Sequence, residues 1–325
     1  MKKKLINISA KTAVAVLLAG SVTAFAQQYP SKPIRLVVGF AAGGPSDVAA
    51  RTIAQKLTEK WGQQVIVDIR PGAGGNIATE IVAKAPADGY TLLEPAFAHA
   101  VNPFLYSKLP FDAVKDFAPI LLFASIANVL VVHPSIPARS VAELIAFAKA
   151  HPGQLTAGSS GNGTASHLAI ELLNMMGGIK TTHVPYKGLA PAHTDLMGGQ
   201  ITMLFDGIVT GMPAVNAGRL RALAVTTAKR WKGTPEIPTM AESGLAGFEV
   251  NSWYGLLAPA GTPREIVLRL NSEVSRALRE PDARERLYSI GAEPMDNTPE
   301  EFQAYINAEM AKWSKVVKMA GIRAD

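Results

Sequence analysis

Between residues 36 and 51 the chain passes from an apolar, β-branched run (LVVGF) through a turn of small residues (AAGGP) into a helical pattern that begins at Ser46. A strand that runs at once into a helix must return by a crossover. Successive units of this kind build a parallel sheet with helices on its faces. Ala50, Ile53, Leu57 and Trp61 share one face of the expected helix, and Ser46 is placed to cap its start. The glycine turn would aim free backbone N–H groups at whatever lies above it, which suits an anion. It stands at the carboxyl end of a strand, where open α/β sheets bind ligands. Gly43 and Gly44 equally suit a tight turn with no ligand at all. From this segment alone both readings stand.

The alternation continues. Strands are expected over 34–40, 65–69 and 90–93, with helices over 46–60 and 77–84. The segment 94–120, broken by Pro95, Pro103, Pro110 and Pro119, has no clear pattern. A second strand–helix series runs from about 126 to 230: strands over 129–133, 155–158, 182–186, 201–205 and 220–226, and helices over 140–150, into 176 and over 190–197. A strand over 250–259 follows. Capping-box patterns at Ser140, Thr262 and Thr298 each open a helix. On the last helix Phe302, Tyr305, Ile306, Met310, Trp313 and Val317 line one face, a core-packing stripe. The pattern predicts an α/β protein of two lobes joined by two crossings with a cleft between. The expected division is 27–124 plus 250–325 for lobe one and 125–249 for lobe two. Lobes joined in this way can hinge shut on a ligand.

Residues 1–26 read as a signal peptide. Lys2, Lys3, Lys4 and Lys11 precede or flank a short apolar run, and Ala24-Phe25-Ala26 is a small-residue cleavage motif. Export to the periplasm is therefore expected. Setting those four lysines aside lowers the formal net charge from +6 to +2. No basic patch interleaved with aromatics occurs, so nucleic acid is not an expected partner. The chain has no cysteine, which excludes thiol catalysis and cysteine metal sites. A chain of 325 residues can bury a sufficient core without disulfides.

Catalytic patterns are wanting. There is no Walker A loop. In 72–77 (GAGGNI) Ile77 stands where the dinucleotide pattern needs its last glycine. Ser160 lacks the G-x-S-x-G frame because Asn162 holds the fifth position. A triad of Ser160, His167 and Asp206 would have to ignore that mismatch. His99, His167 and His183 are singletons without zinc-ligand spacing. No catalytic residue, metal or cofactor is expected. Two similar loops remain, 41–47 (AAGGPSD) and 159–166 (SSGNGTAS), each between strand and helix. Opposed helix starts rich in small residues and hydroxyls could each take one carboxylate. Asp47 and Asp206 would repel an anion; each could accept from a ligand ammonium, hydroxyl or bridging water or cap backbone donors, the cap being preferred for Asp47.

Several blocks, taken in order, resemble the Bug family of extracytoplasmic solute receptors of tripartite tricarboxylate transporters. They are 29–35 (YPSKPIR), 70–76 (RPGAGGN), 87–92 (ADGYTL), 159–163 (SSGNG), 183–188 (HVPYKG), 238–244 (PTMAESG) and 253–263 (WYGLLAPAGTP). The resemblance implies a type II periplasmic-binding-protein fold, capture of a small organic acid (a mono- or dicarboxylate), and delivery to membrane transporter subunits by a monomeric receptor. Presentation to a membrane sensor kinase is the other expected use. An enzyme acting on a carboxylated substrate is disfavoured by the lack of a nucleophile–base pair. The family's ligand loops correspond here to Phe40, Ala42, Gly43, Gly44, Ser46 and Asp47 in lobe one. In lobe two they correspond to Ser159, Ser160, Asn162, Gly163 and Thr164, with His167 one turn on. His99 follows the third strand's loop, and Asp206 ends a lobe-two strand expected to face the cleft. The ring of Tyr186 is expected to pack. Glu94 departs from the family's usual small or apolar residue and is expected to turn away into a salt bridge. Residues 207–210 (GIVT) are a second departure.

Overall fold

The computed structural model describes residues 29–324; the expected signal peptide over 1–26 lies outside the described residues. Eleven strands follow one another: β1 (Ile34–Val38), β2 (Val65–Ile69), β3 (Thr91–Glu94), β4 (Phe117–Ile126), β5 (Asn128–Val132), β6 (Thr156–Ser159), β7 (Thr182–Pro185), β8 (Met203–Gly207), β9 (Arg221–Val225), β10 (Ser252–Pro259) and β11 (Ala292–Pro294). They form two mixed sheets. The first has the order β11-β4-β10-β3-β1-β2 and the second β7-β6-β8-β5-β9. β1 pairs in parallel with β2 and β3, whereas β10 runs antiparallel to β3 and β4. In the second sheet β6 is parallel to β7 and β8, and β5 is antiparallel to β8 and β9.

The chain leaves the first sheet between Ile126 and Asn128 and returns between Val225 and Ser252. The two crossings are laced together. Asn128 N–H donates to Thr226 Oγ1 (3.2 Å), Thr226 N–H to the Asn128 carbonyl (2.9 Å) and Val250 N–H to the Thr226 carbonyl (3.1 Å). These residues are buried, so each bond satisfies a backbone group that water cannot reach.

Among the described residues ten α-helices cover the sheets: α1 (Pro45–Trp61), α2 (Asn76–Ala83), α3 (Ala98–Leu105), α4 (Val141–Ala150), α5 (Ala165–Gly177), α6 (Leu189–Met197), α7 (Ile208–Asn216), α8 (Arg264–Ala277), α9 (Pro281–Tyr288) and α10 (Pro299–Ala320). The capping box at Thr298 is complete, and Ser140 accepts from Glu143 N–H. Thr262 makes no box. Its hydroxyl donates to the Pro259 carbonyl, and α8 starts after Pro263. Ser46 is not a cap either: α1 begins at Pro45 with Gly44 as N-cap, which puts Ser46 inside the first turn. On α10, Phe302, Ile306, Trp313 and Val317 are buried, and Tyr305 and Met310 pack against the same cluster. Trp313 meets Phe97 edge-on at 5.1 Å, and Trp253 meets Phe302 at 5.9 Å. Both tryptophans are fully buried, and truncating such a residue costs about 3–5 kcal/mol. Trp253 thereby fixes the start of β10 just where the chain re-enters the first sheet. Among the described residues no helix is long and apolar enough to cross a membrane.

Candidate functional site: an uncharged cleft between two loops

A cavity of about 620 Å³ is lined by the loops after β1 and β6, the glycine loop before α2, the start of α3, and the crossing residues Asn128 and Ser252–Tyr254. That volume lies within the ordinary range for small-ligand sites. Phe40, Ala42, Gly43, Gly44 and Ser46 from one loop and Ser160, Asn162, Gly163 and Thr164 from the other all line it. Among the described residues 26 line the cavity, and none of them carries a charged side chain. The surface is mostly apolar, with Phe40, Tyr106 and Leu189 on it and the buried Phe97, Leu105 and Trp253 behind. An anion held here would be held by dipoles and hydroxyls, beside apolar walls.

The first wall is built on carboxylates. Gly43 N–H donates to Asp47 Oδ2 (2.8 Å), and Arg51 Nε sits 2.7 Å from Asp47 Oδ1. Pro45 occupies the first helical position and has no N–H to offer. The Ser46 hydroxyl donates to Glu94 Oε2 at 2.8 Å. Two of the loop's polar groups are thus engaged by acids.

The second wall is built on hydroxyls and imidazoles. Ser160 N–H donates to Ser166 Oγ (2.9 Å), Ser166 Oγ lies 3.1 Å from Ser160 Oγ and 3.2 Å from Thr164 Oγ1, and the Thr164 hydroxyl donates to the Gly161 carbonyl (2.7 Å). With Thr164's hydrogen so used, Ser166 donates to Thr164, and the one hydrogen of the Ser160 hydroxyl can go either to Ser166 Oγ or into the cleft. Ala165 and Ser166 open α5 on the cleft lining. Helix geometry leaves the first-turn N–H groups without intrahelical acceptors and gives them a partial positive charge.

Five expected site residues stand behind these walls and do not line the cleft. Asp47 is one, held as a backbone cap. Ser159 is fully buried and bonds His183 Nε2 at 2.6 Å. His167 accepts from Gly163 N–H at Nδ1 (3.0 Å) and stacks on His183 with ring centroids 3.9 Å apart. Burial, with His183 adding to it, pushes His167 down to about 4, and burial lowers His183 as well. His99 also lies off the cleft lining. Its Nε2 bonds the Ala113 carbonyl (2.8 Å), its ring meets Phe117 edge-on, and burial lowers it to about 4. It is a neutral core residue. Asp206 is fully buried against His193 Nδ1 (2.6 Å) and accepts from Gly207 N–H; burial raises its carboxyl against the pull of those partners. Tyr186 donates to Asp195. Glu94 forms no salt bridge among the described residues; it turns inward, 1 % exposed, beneath Ser46.

Some lining residues went unassigned in the sequence. Asn102 Nδ2 donates to the Gly74 carbonyl (3.0 Å) and to Asn76 Oδ1 (2.7 Å), tying the glycine loop to α3. Gly74 holds a left-handed backbone (φ 63°) that this approach requires. Tyr106, Asn128, Trp253 and Tyr254 are among the others. The signal for Gly74 and for Trp253 lay in the recurring blocks 70–76 and 253–263, which had carried the resemblance but no site role. Among the described residues no cluster of His, Asp or Glu is placed to hold a metal.

Two mixed α/β sheets, two crossings and a cleft between them define a solute-binding protein of the periplasmic-binding-protein fold. The chain belongs to the tripartite tricarboxylate transporter receptor family, whose pattern matches residues 49–322. BugT of Bordetella pertussis is 35% identical over 300 residues, which cover 92% of each chain. Among solved structures, R. palustris Rpa4515 with adipate is 43% identical with a TM-score of 0.77, covering 91% of this chain and 99% of that one. MatC from Rhodopseudomonas palustris, with bound malate, is 34% identical with a TM-score of 0.73, covering 89% and 100%. The family is one of periplasmic transport receptors, so membrane transporter subunits are partners of its class.

Proposed function

We propose that this receptor captures an aliphatic mono- or dicarboxylate that lacks an ammonium group. The observation that carries the reading is the lining: apolar walls, neutral donors, and no charged side chain. A carboxylate satisfies the hydroxyls and helix-start N–H groups of the second wall, and a methylene chain suits Phe40, Leu105 and Trp253. An amino acid would leave its ammonium without an acidic partner, and an unpaired charge out of water is strongly disfavoured. The adipate and malate found in relatives are of the favoured chemistry. In this reading residues 27–124 plus 250–325 and residues 125–249 act as lobes that close about the laced crossings. The chain is exported by its N-terminal signal peptide, works as a monomer, and presents its closed form to transporter subunits.

Thermal denaturation with a panel of C4–C8 mono- and dicarboxylates and their 2-amino counterparts tests this. A true ligand at a hundredfold excess over its Kd stabilises by about 2.7 kcal/mol. The expected result is a raised Tm with one or a few plain carboxylates and no rise with the amino forms. A flat response to the plain carboxylates, or preference for the amino forms, overturns the reading.

A further inference from the structure

Glu94 ends β3 directly beneath the first wall, and the function so far derived gives it no part. Its Oε2 accepts from Ser46 Oγ at 2.8 Å, while its Oε1 is buried without a hydrogen-bond partner. Ser46 lines the cleft and Glu94 does not, so Glu94 meets the ligand only through that hydroxyl. We propose that Glu94 is a positioning residue that makes anion capture take up a proton: the receptor binds its carboxylate best when Glu94 is protonated and Ser46 is thereby freed to donate into the cleft. This rests on the carboxylate-receptor reading above.

The hydrogen count at Ser46 carries the argument. A hydroxyl has one hydrogen to give. With Glu94 ionised, that hydrogen goes to Oε2, and Ser46 turns only lone pairs toward an incoming anion. A negative charge also lies one residue behind the wall. With Glu94 protonated, the carboxyl donates to Ser46 Oγ, and the Ser46 hydrogen rotates toward the cleft. The proton comes from bulk solvent, so loading the cleft consumes up to one proton per anion.

The surroundings favour the neutral form. Asp47 on α1 presents a like charge, although Arg51 pairs with it on the far oxygen. Tyr254 on β10 faces Glu94 as a neutral phenol, and His99 on α3 shares a small cavity with it as a neutral imidazole. No lysine or arginine is ion-paired with Glu94 among the described residues. Burial pushes the Glu94 carboxyl well above its usual range; the Ser46 bond opposes this and Asp47 adds to it.

The test is calorimetric titration of the full chain with adipate across a pH series running upward from the usual carboxylate range, the direction in which burial moves Glu94. Each point is measured in two buffers of different ionisation enthalpy, so that heat reports proton uptake. Wild type and Glu94→Gln are compared, since the amide keeps the shape and a donor for Ser46 but cannot ionise. The expected result is uptake approaching one proton as pH rises in wild type, with affinity falling up to about tenfold per pH unit past the midpoint. Glu94→Gln should show no uptake and an affinity that does not fall with pH. Ser46→Ala should keep the variant and wild-type profiles together, because the relay is gone. Adipate binding without proton uptake, or equal uptake in both proteins, overturns the inference and leaves the receptor reading standing. No binding by adipate or by any carboxylate of the panel overturns both.

Discussion

The two walls of the cleft begin alike and end differently. Each is a loop from a strand end into a helix start, yet the first is braced by Asp47 and Glu94 and the second by Ser166, His167 and His183. Both kinds of brace occupy backbone donors, Gly43 N–H on the first wall and Ser160 and Gly163 N–H on the second, but only the carboxylates also repel an anion. The lesson is that two helix starts of similar sequence are unequal anion sites once their backing residues are counted. In the proposed function the second wall is the standing receptor for a carboxylate. The first is a conditional one.

Four experiments press on that asymmetry. The largest expected effect is on stability. Asp206→Ala removes the partner of His193 inside the second sheet and should lower the unfolding free energy by about 3 kcal/mol, while carboxylate affinity in the folded fraction stays within about twofold. A large loss of affinity with unchanged stability would return Asp206 to the cleft. Next is Gly163→Ala. Its new Cβ would lie 2.4 Å from Leu105 Cδ1 across the cleft, at a φ of +75°. The left-handed backbone alone costs about 1–2 kcal/mol, and the clash opposes closure, so affinity should fall by more than about tenfold. Adding Leu105→Ala should recover the part due to the clash. Ser166→Ala should then weaken carboxylate binding by about 1 kcal/mol, as the Ser160 N–H loses its acceptor. Ser46→Ala should cost less than that at a pH high enough to ionise Glu94, where the Ser46 hydrogen is engaged. Equal losses at the two serines would dissolve the contrast between the walls.

The walls also differ in the sign of their response to pH. His167 and His183 are lowered in the folded state, so their contribution to stability is full above about pH 6.5, the unfolded value. It is lost as pH falls through their folded values, about 4 for His167. Glu94 is raised, so the folded state holds its proton more tightly. That contribution is full below about pH 4.3, the unfolded value, and is lost as pH rises through the folded one. Urea unfolding across pH should show His183→Asn relieving the acid-side loss and Glu94→Gln the alkaline-side loss. The reverse assignment would contradict the burial argument at both sites.

Much of the fold was legible because local signals agreed. β2 is found at its expected residues, bounded by Gln64 and Arg70, and the Thr298 box starts α10 as its pattern requires. β4 escaped because Pro119 lies within it; the strand tolerates it beside an irregularity in the register with β10, where Pro119 faces Leu257. Gly211 and Pro213 concealed α7 in the same way. In the site, what could be read was the chain's own chemistry: small residues and hydroxyls at two helix starts. What could not be read was who stands behind them. His99 takes its role from a carbonyl at Ala113, and Glu94 takes its role from a hydroxyl 48 positions earlier in the chain. Those partners are set by packing, and one sequence pattern fits either a ligand group or a buried brace.

The central claim is that neutral donors of the second wall, with no cation, hold the ligand's carboxylate. A crystal structure of the complex with the tightest carboxylate of the panel tests it most directly. The account predicts carboxylate oxygens within hydrogen-bond distance, about 2.7–3.2 Å, of the first-turn N–H groups of α5 and of the Ser160 or Asn162 side chain. A carboxylate seated on a lysine or arginine, or held by the first wall alone, would contradict it.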